Sequence, residues 1–254
     1  GDNSRTNVCV AYDNFDSGYG NSQMRNADSP GSSPLDFTRD APANIDSLQF
    51  NDGMNPGTRI AVGPDGKIFN VYQRFVSSDA SGVKILTYLL NVSSDGGQTW
   101  SVANSDHSSG AKIIAANVNS FQGNGSKIGG VNALLGGVDA ITVDKTGAAW
   151  VVYGARATLT AHDQLFLVKI TNNLGSLTVG APVTLSSSTL DAYLPAVAVL
   201  PNGEVGVLFL TLNGSTFQWR FQQYTNGTTL NKTTGFPAFT SPFTNNGVSN
   251  QRIF

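Results

Sequence analysis

The sequence predicts an all-β protein made of repeated four-stranded antiparallel sheets, and three observations carry that reading. One apolar motif occurs three times, as Ile60-Ala-Val-Gly-Pro-Asp-Gly66-Lys-Ile-Phe-Asn-Val-Tyr72, Ile141-Thr-Val-Asp-Lys-Thr-Gly147-Ala-Ala-Trp-Val-Val-Tyr153 and Val197-Ala-Val-Leu-Pro-Asn-Gly203-Glu-Val-Gly-Val-Leu-Phe209. Each copy is a short apolar strand, a turn ending in glycine and a longer strand closing on an aromatic ring. No segment sustains a 3.6-residue apolar period with caps, so little helix is expected. Charged residues are only 13% of the chain, against roughly 25% in an average soluble protein, and Ser, Thr, Asn and Gly furnish the surface instead. A unit that cannot bury both faces alone stacks on its neighbours. Radial stacking of four-stranded units gives a β-propeller.

The elements follow in chain order. Asn7-Val-Cys-Val-Ala-Tyr12 matches the second strand of a unit, as at residues 69–72, whereas Gln251-Arg252-Ile253-Phe254 matches the opening of a first strand, Thr58-Arg59-Ile60-Ala61. The two ends thus read as halves of one blade, and pairing them would close a ring and remove its exposed edges. Third strands are expected at 83–92, 164–171 and 217–224. Residues 105–137 interrupt the spacing and read as a surface insertion. Their glycines lack the Gly-x-x-x-x-Gly-Lys-Ser/Thr order of a phosphate loop. Residues 1–254 then form a single domain of four recognisable blades, with room for a fifth.

Composition narrows the function. Forty per cent hydrophobic residues in 254 suffice for a sizeable core. With a net charge of −2 and no Lys/Arg run, nucleic acid is not an expected partner. No apolar stretch reaches the ~20 residues of a membrane-spanning helix, and the polar, weakly charged surface reads as secreted or cell-surface. Cys9 is the only cysteine, so no intrachain disulfide forms, and its setting between Val8 and Val10 suits a small buried apolar side chain. No cofactor is expected. Calcium is the one metal the sequence suggests, at Asp13-Asn14-Phe15-Asp16-Ser17-Gly18, although the loop departs from the EF-hand order and an Asx-rich turn is the simpler reading. His107 and His162 have no second ligand at zinc spacing.

Hairpin geometry sorts the polar residues. Residues before a first strand and after a second lie together at the end opposite the glycine turn. That places Arg59 with Arg74, Asp139 near Arg156, and Asp191 and Tyr193 near Thr211. Arg252 joins Asp13 and Asn14 there if the termini complete a blade. The expected result is a mixed-sign depression on the axis, suited to a hydroxylated or acidic ligand. Glu204, the only glutamate, follows a glycine turn and falls at the other end.

The stretch Ser93-Ser94-Asp95-Gly96-Gly97-Gln98-Thr99-Trp100 resembles the Asp-box, or BNR repeat, of sialidase-like β-propellers. Its aspartate and glycines suit a tight hairpin, and Trp100 drops into the blade core. The structural residues of the box are Ser93, Asp95, Gly97, Thr99 and Trp100. Arg59-Ile60-Ala61 resembles the family's Arg-Ile-Pro motif, whose arginine holds a sugar carboxylate through its planar fork. Arg74-Phe-Val-Ser-Ser-Asp79 is similar to the segment carrying an arginine and then the acid/base aspartate. The likeness covers residues 59–101, and sialidase-like rings normally have six blades, so a part of a longer ring is the alternative to a closed one. Ala61 replaces the motif's proline, and the family's tyrosine–glutamate nucleophile pair has no match. The resemblance implies Asp79, Tyr193 and Asp191 as catalytic candidates, with Arg59, Arg74, Arg156 and Arg252 binding substrate and Arg220 as a further candidate for the carboxylate-binding triad. It implies first a carbohydrate-binding propeller for sialylated or otherwise acidic glycans, second an active exo-sialidase, and third a structural module capable of self-assembly.

Overall fold

The computed structural model describes residues 8–14, 22–29, 39–40, 46–50, 58–78, 84–97, 100, 112–120, 127–128, 131–132, 139–158, 161–173, 176–226 and 228–240, with backbone alone before residue 58. Among the described residues there are strands and turns but no helix. The first sheet comprises β1 (Val8–Asn14), β2 (Ser22–Ser29), β3 (Arg39–Asp40) and β4 (Asp46–Phe50). A second contains β5 (Arg59–Val62), β6 (Ile68–Ser78), β7 (Lys84–Ser93) and β8 (Lys112–Ser120). After a small hairpin of β9 (Lys127–Ile128) and β10 (Val131–Asn132) comes the third, with β11 (Asp139–Val143), β12 (Ala149–Ala155), β13 (Gln164–Asn173), β14 (Ser176–Val179) and β15 (Val183–Thr184). The fourth holds β16 (Asp191–Val199), β17 (Val205–Asn213), β18 (Thr216–Thr225), β19 (Thr229–Gly235) and β20 (Phe239–Thr240).

All the large sheets share one meander, with every pairing antiparallel. In the third and fourth sheets the outermost position is split, β14 and β15 both pairing β13, and β19 and β20 both pairing β18. The first sheet repeats that split with β3 and β4 on β2, which puts β1 where β12 and β17 stand in theirs. Residues 251–254, expected as its first strand, lie outside the described residues. Strand β11 packs between β5 and β16, so the first strands of three successive sheets lie side by side as in propeller blades. Among the described residues the sheets do not close a ring.

The three repeated turns are one structure. Gly66, Gly147 and Gly203 have φ of 78°, 81° and 83°, a left-handed conformation that costs glycine nothing. Each amide donates to the carbonyl three residues back, at 3.0 Å to Gly63, 2.9 Å to Asp144 and 2.8 Å to Leu200. At Asp95, where the sequence predicts a tight hairpin, the described residues 94–97 form a bend, with Gly96 and Gly97 at φ of 77° and 88°, and the strand that next pairs β7, β8, begins at Lys112. The Ser93 hydroxyl there donates to Asp95 Oδ1 at 2.8 Å and accepts the Gly97 amide at 2.8 Å. Trp100 is buried, and Thr99 lies outside the described residues.

The core follows from the period-2 alternation of strands. All seven residues of β12 are buried, and successive side chains feed two apolar clusters. Ala149, Val151 and Tyr153 pack with Phe69, Val71, Tyr88 and Leu90 of the second sheet. Trp150 and Val152 pack with Leu165, Leu167, Val205, Val207 and Phe209.

Part of the 105–137 segment belongs to a sheet. Strand β8 pairs β7, with Leu86 opposite Val118 and Tyr88 opposite Ala115, and Ile114, Ala115 and Val118 pack on the core. Two register shifts interrupt this ladder, and Asn117 has a φ of 53°. Those irregularities erase the alternation by which a strand is read from sequence.

Candidate functional site

The innermost strands β5, β11 and β16 all begin at the end opposite the glycine turns, so their first residues, Arg59, Asp139 and Asp191, come to one mouth. Asp139, only 2% exposed, accepts a hydrogen bond from Gln73 Nε2 at 3.1 Å. Arg59 Nε stands 3.9 Å from the Asp139 carboxylate, with its own side chain 41% exposed. These contacts join the second sheet to the third.

Asp163, in the connection to β13, ties the third sheet to the fourth. Arg156 grips its carboxylate with two prongs, Nε to Oδ1 at 2.5 Å and Nη2 to Oδ2 at 2.9 Å. The Tyr193 hydroxyl donates to the same carboxylate at 3.0 Å. The Asp163 amide donates to Asp191 Oδ1 at 2.8 Å, and His162 Nδ1 lies 3.2 Å from that oxygen. The Arg156 amide also donates to the carbonyl of Asn119 on β8, at 2.9 Å. Three sheets therefore meet around one arginine, the second through its backbone amide.

Burial sets the electrostatics here. It pushes the Tyr193 phenol well above its ordinary value, and the Asp163 and Asp191 carboxylates push the same way. Burial opposes the charge on Arg156, but hydrogen bonding and attraction to Asp163 override it and hold the proton more firmly than usual. The result is a neutral phenol against a neutralised ion pair.

Arg59, Arg156, Asp191 and Tyr193 are thus at the mouth, as hairpin geometry predicts. The partner expected for Arg156 is different. Asp139 stands opposite Tyr153 in the ladder, so Arg156 lies beyond the paired stretch and turns to Asp163. Tyr193 likewise bonds Asp163, whereas Asp191 braces the Asp163 backbone. Arg74 is placed by its backbone on β6, opposite Thr87. Asp79 and Arg252 lie outside the described residues, as do residues 15–18 of the oxygen-rich loop. Among the described residues no group of three or more His, Cys, Asp or Glu side chains could hold a metal, and no helix is long and apolar enough to cross a membrane.

Sequence reasoning missed Gln73 and Asp163. For Asp163 a signal was present. Ala155 pairs Gln164, so the next positions outward, 156 and 163, face each other across the hairpin with opposite charges.

No protein-family model and no curated protein matches the chain. Solved structures do. A protein of unknown function from Dyadobacter fermentans is similar over 95% of this chain and 67% of its own, at 13% identity and a TM-score of 0.50. The Hadza microbial sialidase Hz136 is similar over 82% of this chain and 44% of its own, at 14% identity and a TM-score of 0.48. An intramolecular trans-sialidase from Ruminococcus gnavus is similar over 80% and 36%, at 14% identity and a TM-score of 0.43. The likeness is one of fold. The chain spans less than half the length of these two sialidases.

Proposed function

We propose that this chain is a secreted or surface-displayed, sialidase-like carbohydrate-binding protein that takes an acidic glycan at the mouth of its radial sheets. One observation carries the reading. Three inner strands open together on Arg59, Asp139 and Asp191, and the Arg59 guanidinium is partly exposed at their rim. A planar guanidinium fork suits a sugar carboxylate, and the partly exposed Asp191 carboxylate suits a sugar hydroxyl.

The same site favours binding over turnover. A tyrosine attacks an anomeric carbon only when its oxygen is accessible and a base takes its proton. The Tyr193 hydroxyl is buried, and both oxygens of its acceptor Asp163 are already engaged by Arg156. An exo-sialidase is the second reading, favoured by the Tyr193–Asp163 hydrogen bond, with Asp79 as acid/base. A glycan array and a fluorogenic sialoside separate the two. Binding that is lost in Arg59→Ala, without fluorophore release, is the expected result. Release abolished by Asp79→Asn would replace this reading with the enzyme, and silence in both assays would overturn both.

A further inference from the structure

Asn-Gly pairs carry a chemistry of their own. The backbone nitrogen of the glycine can attack the Asn side-chain carbonyl carbon, close a cyclic imide and expel the side-chain nitrogen as ammonia. Glycine permits this best, because no Cβ shields its nitrogen or restricts its backbone. The sequence holds five such pairs, beginning at Asn124, Asn202, Asn213, Asn226 and Asn246. Both residues are described at two of them, Asn202-Gly203 and Asn213-Gly214. Each of these pairs is exposed at a turn of the fourth sheet, with φ of 83° at Gly203 and 59° at Gly214, and a Cβ built on either glycine would meet nothing within 4 Å. Access therefore does not distinguish them.

Hydrogen bonding does. The Gly203 amide donates to the Leu200 carbonyl at 2.8 Å. The Asn202 side chain is clamped through both its polar atoms, Nδ2 donating to Glu204 Oε2 at 2.6 Å and Oδ1 accepting the Glu204 amide at 3.2 Å. The Glu204 carboxylate is fixed in turn by Thr225 Oγ1 and Asn231 Nδ2, each donating to Oε1 at 2.7 Å. Attack at 202 must break the bond of the nucleophile and the clamp on its target. At the other turn Asn213 pairs with Thr216 as the last rung between β17 and β18. Gly214 and Ser215 are left as a two-residue hairpin loop outside the ladder. Among the described residues neither the Gly214 amide nor the Asn213 side chain has a hydrogen-bond partner. Nucleophile and target are both free.

We infer that Asn213-Gly214 is a site of spontaneous covalent modification. The Gly214 nitrogen bonds to Asn213 Cγ, the Cγ–Nδ2 bond breaks, and ammonia leaves with the proton that Gly214 gives up. Water then opens the imide at either carbonyl to give aspartate or isoaspartate. The product places a carboxylate in a depression that Asn213 lines together with Thr211, Gln218 and Arg220, and the isoaspartate route adds a backbone carbon to the turn. The test holds the full chain at mildly alkaline pH, once native and once in urea, and measures acid at each position by peptide mass spectrometry, with isoaspartyl methyltransferase labelling as a second readout. In urea the two pairs should convert at similar rates, because neither turn survives. In the native chain Asn213 should convert roughly tenfold or more faster than Asn202, the ratio that about one net hydrogen bond of protection produces. Glu204→Ala should speed conversion at 202 several-fold and leave 213 unchanged, with a melting curve confirming the fold. Asn213→Gln should remove the main native product. Equal native rates at the two pairs, or an Asn213 that converts in urea but not in the native chain, would overturn the inference. An Asn202 as slow in Glu204→Ala as before would overturn its basis in the clamp.

Discussion

Asp144 and Asp163 are both carboxylates that accept several hydrogen bonds, at opposite ends of the same sheet. Asp144 gathers its donors locally. The Thr146 amide and hydroxyl reach it at 2.8 and 2.5 Å, the Ala148 amide at 3.1 Å and the Trp150 indole at 3.0 Å. Asp163 gathers its side-chain donors from Arg156, seven residues back, and Tyr193, thirty residues on, while its own amide reaches Asp191. A residue of the first kind shapes one turn and works before any sheet has met another. A residue of the second kind takes Arg156 from its own hairpin but is completed only when the fourth sheet docks and brings Tyr193 and Asp191. The turn end is therefore built for folding and the mouth end for holding the assembled form.

The largest test of this contrast is Asp163→Ala. Arg156 and Asp163 expose 12% and 9% of their side chains, and removing one member of a buried pair strands the other's charge, at a cost of about 3–5 kcal/mol. Denaturant unfolding should show that loss. A loss under about 1 kcal/mol would rank the pair with ordinary surface bridges and remove the distinction between the ends.

Alkaline pH attacks the folded form by another route. Burial raises the Tyr153 and Tyr193 phenols above the ordinary tyrosine value of 10.0 and takes Tyr224 to about 12. An acid that ionises less readily folded than unfolded gives stability that is complete below the unfolded value and is lost as pH rises toward the folded one. Melting temperature should hold up to about pH 10 and then decline. Tyr193→Phe removes one of the three groups and should flatten the decline. An unchanged slope in that variant would mean that Tyr193 is not held neutral by its surroundings.

What the sequence makes legible divides along the same line. The glycine turns at 66, 147 and 203, the bend at Ser93–Gly97 and the apolar first and second strands depend on neighbours within a few residues, and pattern reading finds them. Arg59, Asp139 and Asp191 are also found, because strand direction alone sends them to one end. The outer strands are not found. Every residue of β19 is exposed, so no apolar alternation marks it, and β8 loses its alternation to bulges. The partners of Arg156 and Tyr193 are hidden for a different reason. Hairpin geometry ranks residues along a strand, but which carboxylate a guanidinium reaches depends on how far past the ladder the chain runs before it turns.

The smallest expected effect is at the turn. Asp144→Ala leaves the buried Trp150 indole and the Ala148 amide without an acceptor, which costs about 1–3 kcal/mol, less than the loss at Asp163. Its pH signature has the opposite sense to that of the tyrosines. Burial works against the Asp144 charge, but hydrogen bonds from Thr146, Trp150 and Ala148 prevail and hold the carboxyl below its ordinary value of 3.8. A depressed acid gives stability that is present above the unfolded value and is lost as pH falls through the folded one. The native chain should therefore lose stability on acidification below that value, and Asp144→Ala should lose less of it while starting from a lower plateau. Folding kinetics then sharpen the comparison. A contact made within six residues should already be present when the chain crosses its folding barrier, so Asp144→Ala should slow folding, whereas Tyr193→Phe, which removes a hydrogen bond made only between docked sheets, should mainly speed unfolding. If Asp144→Ala instead acts only on unfolding, the turn forms as late as the mouth, and the two ends differ in distance along the chain but not in their place in assembly.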